Sequence, residues 1–215
     1  MDSTGNGKTE FLENYYKPAS DVLEELRLIN EESEIPLILR ETEDVLSLLL
    51  ELTHPTSILE IGTGYGYSSL FFASKCPGAH ITTIEKSDEM ASEASKYISL
   101  HDKEGRIKLI EGDALDVLPS LRGQEFDFVF IDASKTHYGE FFDLAEGLCK
   151  PGALIVCDNI LMHGWIYDPD KEGAYRHRTS VKYMKNFLSK LKDRPDLTVS
   201  YSSGGDGLAI IKLSE

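Results

Sequence analysis

Long apolar runs are what this 215-residue chain most plainly lacks. No stretch approaches the ~18 residues needed to cross a bilayer, so no membrane span is expected. The amino terminus, MDSTGNGKTE, has no apolar core and does not read as a signal peptide. Cysteine is scarce: Cys76, Cys149 and Cys157 are odd in number and form no CxxC pair. That argues against a disulfide framework and for buried free thiols in a reducing compartment. Positive charge is also short. With 22 Lys and Arg against 37 Asp and Glu the net charge is −15, which disfavours nonspecific attraction to nucleic acid or anionic lipid unless basic residues cluster. Internal repeats are absent. What remains is ordinary for a soluble globular protein, 41% hydrophobic and 27% charged. The length suits one domain burying roughly 70% of its unfolded surface. A cytoplasmic protein is expected.

Residues 1–9 read as a disordered tail. GNGKT within it invites a phosphate-loop reading, but the glycine required five positions before Gly7 is Asp2, and no strand precedes it. From Glu10 to about Glu32, Phe11, Tyr15, Val22, Leu23, Leu26 and Ile29 recur at helical spacing, with Pro18 marking a break. A second helix is expected over about 41–52, with Val45, Leu46, Leu49 and Leu50 on one side. These helices of 10–53 precede a Rossmann-like core over 57–215, all within one domain spanning 10–215.

The core is expected to be α/β, a doubly wound parallel sheet with helices on both faces and a terminal antiparallel hairpin. Its first strand, about Ile58–Ile61, runs into Gly62-Thr63-Gly64-Tyr65-Gly66. Glycines there let the backbone turn tightly and a ligand approach the main chain. The GxGxG spacing is not the GxGxxG of a dinucleotide site. Glu60 would repel a diphosphate but welcome a ligand ammonium, which favours S-adenosylmethionine over a dinucleotide and weighs against a dehydrogenase. A second strand, His80–Ile84, ends in Glu85, an acid placed to accept hydrogen bonds from ribose hydroxyls. A helix follows, with Ser87 as N-cap and Met90, Ala94, Tyr97 and Ile98 inward. A third strand, Ile107–Ile110, leads to Asp113 and Ala114. That Asp suits either an adenine amino group or the N-cap of a short helix.

The stretch that organises the chain is Phe126–Tyr138, FDFVFIDASKTHY. Its apolar run alternates poorly and reads as a strand buried on both faces. It climbs to Asp132, at the end of the sheet where ligands bind, with Lys135 in the turn beyond. A helix over about 139–149, a turn at Lys150-Pro151-Gly152 and a fifth strand, Ala153–Cys157, deliver Asp158 and Asn159 to the same edge. Three oxygen donors without His or Cys suit Mg²⁺ or a similar divalent ion. The long loop 160–173 carries Met162, His163, Trp165 and Tyr167, as lids and binding loops do. A last helix, about 174–191, buries Val181, Met184, Leu188 and Leu191. It shows Arg178, Lys182, Lys185 and Lys192 on a neighbouring stripe, with Arg176 and His177 at its start. Thr198–Ser202, a GlyGlyAspGly turn and Leu208–Leu213 make the closing hairpin.

LEIGTGYGYSS, IEKSDEMA, IEGDAL, FDFVFIDASKTHY and GALIVCDNILMHG, in this order and spacing, resemble the cation-dependent class I O-methyltransferases, the family of the catechol and caffeoyl-CoA enzymes. The resemblance runs from about Pro36 to Leu213. It implies metal ligands at Asp132, Asp158 and Asn159 and a catalytic lysine at Lys135. It also implies S-adenosylmethionine contacts at Ile38, Glu60, Gly62, Ser68, Glu85, Asp113, Ala114 and Asp132, and a homodimer. RHRTSVKYMKNFL and the loop before it are most similar to the bacterial branch that methylates 5-hydroxyuridine in tRNA to 5-methoxyuridine. The caffeoyl-CoA branch has a Trp-Asn pair where this chain has Met162 and His163. In the implied chemistry a chelated divalent ion acidifies a hydroxyl beside a second oxygen, and Lys135 takes the proton. A small aromatic diol is the alternative substrate. A non-catalytic S-adenosylmethionine- or RNA-binding module is a further alternative, opposed by the presence of Lys135 and all three metal-type donors.

Overall fold

A computed structural model describes residues 11–12, 14–32 and 35–215. The expected tail over 1–9 and the expected helix start at Glu10 lie outside the described residues. Seven strands form one sheet in the order β3-β2-β1-β4-β5-β7-β6. They are β1 (Ser57–Ile61), β2 (His80–Glu85), β3 (Ile107–Glu111), β4 (Phe126–Ile131), β5 (Cys149–Cys157), β6 (Thr198–Ser202) and β7 (Leu208–Lys212). The first five run parallel, and β7 pairs antiparallel with both β5 and β6. This is the expected α/β sheet with its terminal antiparallel hairpin.

The helices are α1 (Asp21–Glu32), α2 (Arg40–Thr53), α3 (Tyr67–Lys75), α4 (Asp88–His101), α5 (Ala114–Ser120), α6 (Tyr138–Glu146) and α7 (Arg178–Lys192). Strand alternation splits the core into two layers. Phe128 and Phe130 of β4 pack with Leu46, Leu50, Phe71 and Phe72 on one side. Val129 and Ile131 pack with Phe142, Met184 and Phe187 on the other. A strand with apolar residues on both faces is stable only inside such a sandwich, which is why FVFI sits at the centre. From β1 the chain winds outward to β3, then crosses back to β4 on the other side of β1. The crevice between the tips of β1 and β4 is therefore the topological switch point.

Several boundaries differ from the sequence reading for physical reasons. Lys150-Pro151-Gly152 is not a turn between elements but lies inside β5. Phe126 pairs with Cys149 and Phe128 with Leu154, so the extra residues form a bulge where proline's missing N–H is tolerated. In α1 the buried face is Leu23, Leu26, Arg27 and Asn30, while Val22 and Ile29 are exposed. That stripe is set by Arg27, which reaches inward to Glu43. Ser87 caps α4, accepting from the Met90 N–H at 3.3 Å. Met90 itself is not inward, because it overhangs the cavity from the first turn. The last helix begins at Arg178, after successive turns over 171–177, and its buried face includes Phe187.

Candidate active site

Backbone bonds tie the strand tips together beyond the strands themselves. The Gly62 N–H donates to the Ile84 carbonyl (3.0 Å), that of Asp132 to Ile61 (3.0 Å) and that of Asp158 to Ile131 (2.9 Å). Gly62, at φ 98°, has no substitute here. A Cβ at that point would fall on the Asp132 carbonyl oxygen, since the β1 and β4 tips leave the sheet in contact. Above these tips opens a cavity of about 580 Å³, lined by Ile38, Gly62, Ser68, Glu85, Asp113, Ala114 and Asp132 among others. Seven of the eight residues expected to touch a cofactor thus share one cavity wall.

Glu60 is the exception. It pairs with Thr83 inside the sheet and faces α3, where Ser69 Oγ donates to its Oε2. It is fully buried, and its Oε1 has no hydrogen-bond partner. Burial pushes its carboxyl up to about 7, against hydrogen bonds from Ser68, Ser69 and Thr83 that pull it down. The expectation of a carboxylate open to a ligand ammonium is corrected in this respect: one residue short of the tip, the side chain is still enclosed by the sheet and α3.

The other acids are held firmly. Glu85 accepts the Gly64 N–H at 2.8 Å on one oxygen and the Ser87 N–H at 2.9 Å on the other. Asp113 takes the N-cap role in α5, accepting the Leu115 N–H at 3.0 Å, and also faces the cavity. Lys86 at 2.7 Å, with that N–H, holds the Asp113 carboxyl below the usual carboxylate range.

On the β4–β5 side, Lys135 Nζ stands 2.8 Å from Asp132 Oδ1, 2.9 Å from Asn159 Oδ1 and 2.8 Å from the Tyr138 hydroxyl. Tyr138 is fully buried and donates in turn to the Asp158 carbonyl at 2.8 Å. Sequence reading gave this tyrosine no role; it is the first residue of α6, and the turn that carries Lys135 folds back over it. Asp158 lies beneath the cavity wall, fully buried. Its Oδ1 accepts the Asn159 N–H at 2.6 Å, while its Oδ2 has no partner. Burial first, and the neighbouring Asp132 carboxylate second, push the Asp158 carboxyl up to about 7.

These residues fit a divalent ion on three counts. The donors are all oxygen, a hard set. An ammonium already bridges two of them, as a cation would. The third owns a buried oxygen without a partner. Among the described residues no three His, Cys, Asp or Glu side chains cluster to hold a metal; of the donors here Asp132 and Asp158 are carboxylates and Asn159 is an amide.

The later part of the chain also contributes to the cavity lining. His163 comes from the 160–173 loop, in which Trp165 stacks on His177 at 4.0 Å and donates to the Glu172 carbonyl at 2.9 Å. Asp206 comes from the β6–β7 turn, and sequence reading saw only a turn there.

A family model described as O-methyltransferase matches residues 14–213. The chain belongs to the O-methyltransferase family. It is accordingly an S-adenosylmethionine-dependent enzyme of that class. Its relatives include a catechol O-methyltransferase of Niastella koreensis, 36% identical over 140 residues, which are 61% of this chain and 63% of that one. The aligned segment is thus under two thirds of that relative. A solved Staphylococcus aureus protein, provisionally named a caffeoyl-CoA O-methyltransferase, superposes with a TM-score of 0.89 at 31% identity, covering 96% of this chain and 99% of its own. An O-methyltransferase of Bacillus cereus, solved with SAH, gives 0.81 at 26% identity, covering 95% and 96%. Among the described residues no helix is long and apolar enough to cross a membrane.

Proposed function

We propose that this protein methylates a hydroxyl that lies next to a second oxygen, and that it does so with a divalent cation held by Asp132, Asp158 and Asn159. The observation that carries this is the Lys135 ammonium seated between Asp132 and Asn159 at the edge of the cofactor cavity. S-adenosylmethionine would supply the electrophilic methyl, and the cation the chelation that acidifies the substrate hydroxyl. The chain's own residues do the rest. Glu85 would receive the ribose hydroxyls and Asp113 the adenine amino group, between the apolar walls of Ile38, Ala114 and Met90. Lys135, steadied by Tyr138 and acting as the neutral amine, would take the substrate proton and become the ammonium, and the rigid strand tips would hold the nucleophile in line with the methyl. The test is methyl transfer to a simple catechol by the purified protein, before and after chelation. Activity lost on chelation and regained with Mg²⁺ supports the reading; activity indifferent to chelation defeats its cation half.

For the physiological substrate we propose 5-hydroxyuridine in tRNA, whose 5-hydroxyl and O4 offer the same pair of oxygens as a catechol. Supporting this is the segment 173–192, which carries Arg176, Arg178, Lys182, Lys185, Lys190 and Lys192 and not one acid, in a chain of net charge −15. Tyr167, Tyr175 and Tyr183 are exposed beside it, as a surface that stacks bases would need. The names of the relatives favour the second reading, a small aromatic diol. Transfer RNA from cells lacking this protein distinguishes them: unmethylated 5-hydroxyuridine is expected, and unchanged 5-methoxyuridine would leave the diol. A homodimer belongs to the same proposal, supported by the exposed Val22, Leu28 and Ile29 on α1 and Leu48 and Leu52 on α2. Light scattering in solution checks it.

A further inference from the structure

Three of the five residues Asn159–His163 hold a left-handed backbone without being glycine, at φ 55° for Asn159, 52° for Met162 and 56° for His163. Asn accepts that conformation readily, but Met does not, and strain of this kind persists only where the surroundings over-determine it. The source of the constraint follows from the loop's own N–H groups. Ile160 donates to the Gly207 carbonyl at 3.1 Å and Leu161 to the Asp206 carbonyl at 2.9 Å. His163 donates to Asp206 Oδ1 at 2.6 Å. Only Met162 turns inward, to the Asn159 carbonyl at 3.2 Å.

The loop is therefore sewn to two residues of the β6–β7 turn. Gly207 is left-handed too, and a Cβ there would stand 2.5 Å from Leu161 Cγ, so turn and loop are in direct contact. Asp206 is only 9% exposed. Its second oxygen, Oδ2, has no hydrogen-bond partner, and the nearest cationic-type group, His163 Nδ1, is 3.8 Å away. A carboxylate so enclosed is costly to keep unless its one strong bond matters. That bond fixes the far end of the segment that begins with Asn159, whose Oδ1 is one of the three oxygens around Lys135 Nζ.

We propose that Asp206 is a positioning residue: by clamping the Asn159–His163 loop it keeps Asn159 Oδ1 aimed at the point that Asp132 Oδ1 also faces, and so sets divalent-cation affinity. This rests on the cation reading of the site given above. Asp206 and His163 line the cavity themselves and the turn packs beside Leu39 at Gly205, but Glu85 and Asp113 come from other elements, so cation and SAH affinities are expected to respond unequally to loss of the clamp. Asparagine at 206 retains an acceptor oxygen for the His163 N–H, whereas alanine retains none.

The experiment titrates Mn²⁺ calorimetrically into the full-length protein and its Asp206→Ala and Asp206→Asn variants. SAH binding and backbone hydrogen exchange over 160–164 are measured in parallel. Asp206→Ala is expected to weaken Mn²⁺ roughly 10–100-fold, the usual effect of losing an outer partner of a metal ligand. SAH affinity should fall far less than Mn²⁺ affinity, exchange at the His163 amide should accelerate, and Asp206→Asn should restore most of the Mn²⁺ affinity. Unchanged Mn²⁺ binding in Asp206→Ala overturns the proposal, as does a parallel loss of Mn²⁺ and SAH in both variants, which marks a merely structural role. Should Asp206→Ala fail to fold, Gly207→Ala displaces Leu161 from the turn. It is expected to weaken Mn²⁺ far more than SAH, and full Mn²⁺ affinity there overturns the proposal equally. Wild-type protein that binds no Mn²⁺ overturns the cation reading as well, whereas wild-type binding with Asp206→Ala unchanged overturns this one alone.

Discussion

Glu60 bears the cost of its enclosure in a form that pH reveals. Its carboxyl titrates at about 7 in the folded protein against 4.5 when free. Between those values the folded state keeps a proton that the unfolded chain has released, so this contribution to stability is full below 4.5 and is lost as pH rises to 7. Glu60→Gln stays neutral throughout. It is expected to flatten the fall in Tm between about pH 5 and 7.5 and to be the more stable protein at the upper end, by at most on the order of 3 kcal/mol. Thermal melts of both proteins across that range decide it; parallel curves would mean that Glu60 is ionised in the fold. Lys135 is constrained differently, with its three protons directed at Asp132, Asn159 and Tyr138. Replacing it by alanine is expected to lower kcat toward a catechol about 10²–10⁴-fold. SAH affinity should remain near wild type, since Lys135 does not line the cofactor cavity.

At the scale of elements, α1 contributes nothing to the cavity wall directly yet holds part of it in place. Arg27 Nη2 donates to the Ile38 carbonyl at 2.8 Å, pairs with Glu43 of α2 at 2.6 Å, and its guanidinium lies 4.9 Å from the centre of the Tyr67 ring. Ile38 and Tyr67 both line the cavity. Arg27 and Glu43 are each 2% exposed, so removing Glu43 leaves the buried guanidinium with only the half-exposed Glu31, at 3.2 Å, as an ionic partner. Glu43→Ala is expected to cost about 3–5 kcal/mol by denaturant titration, and Arg27→Met with Glu43→Leu to recover much of it. A loss no larger in the single variant than in the double would show that the pair is not coupled. None of this was legible in the sequence. Apolar periodicity marked α1, but a buried Arg reads as a solvent-facing residue until its partner sixteen positions on is seen. The strands were legible because parallel strands buried on both faces announce themselves as apolar runs, and the site acids because they stand at the ends of those runs. The β5 bulge was hidden by Lys150-Pro151-Gly152, whose composition is that of a turn. Asp206 was hidden because its partner is a backbone N–H, and Glu60 was misplaced because one residue's distance from a strand tip separates open from enclosed.

Over the whole molecule the charge is unevenly distributed. Apart from Lys190, which pairs with Asp143 of α6, the basic side chains of 173–192 are exposed and have no salt-bridge partner within the segment, while the acids are concentrated elsewhere. Arg178 lies 4.7 Å from the Tyr175 ring centre, and Trp165 stacks on His177, so cationic and aromatic groups lie side by side at the start of α7. A diol needs none of this, since two oxygens on one ring fit within the cavity. A polynucleotide must be held outside the cavity, and the affinity of such contacts falls as salt rises because each phosphate neutralised releases counterions. The joint substitution of Arg178, Lys182 and Lys185 by Glu separates the two cases within one protein. If the substrate is tRNA, methylation of 5-hydroxyuridine-containing tRNA should fall steeply and the wild-type reaction should weaken with added KCl. Turnover of a simple catechol should be nearly unaffected by either, because these side chains lie outside the cavity lining. Equal loss on both substrates would mean that α7 supports the fold of the site, and undiminished tRNA methylation would remove the basic face from the reaction.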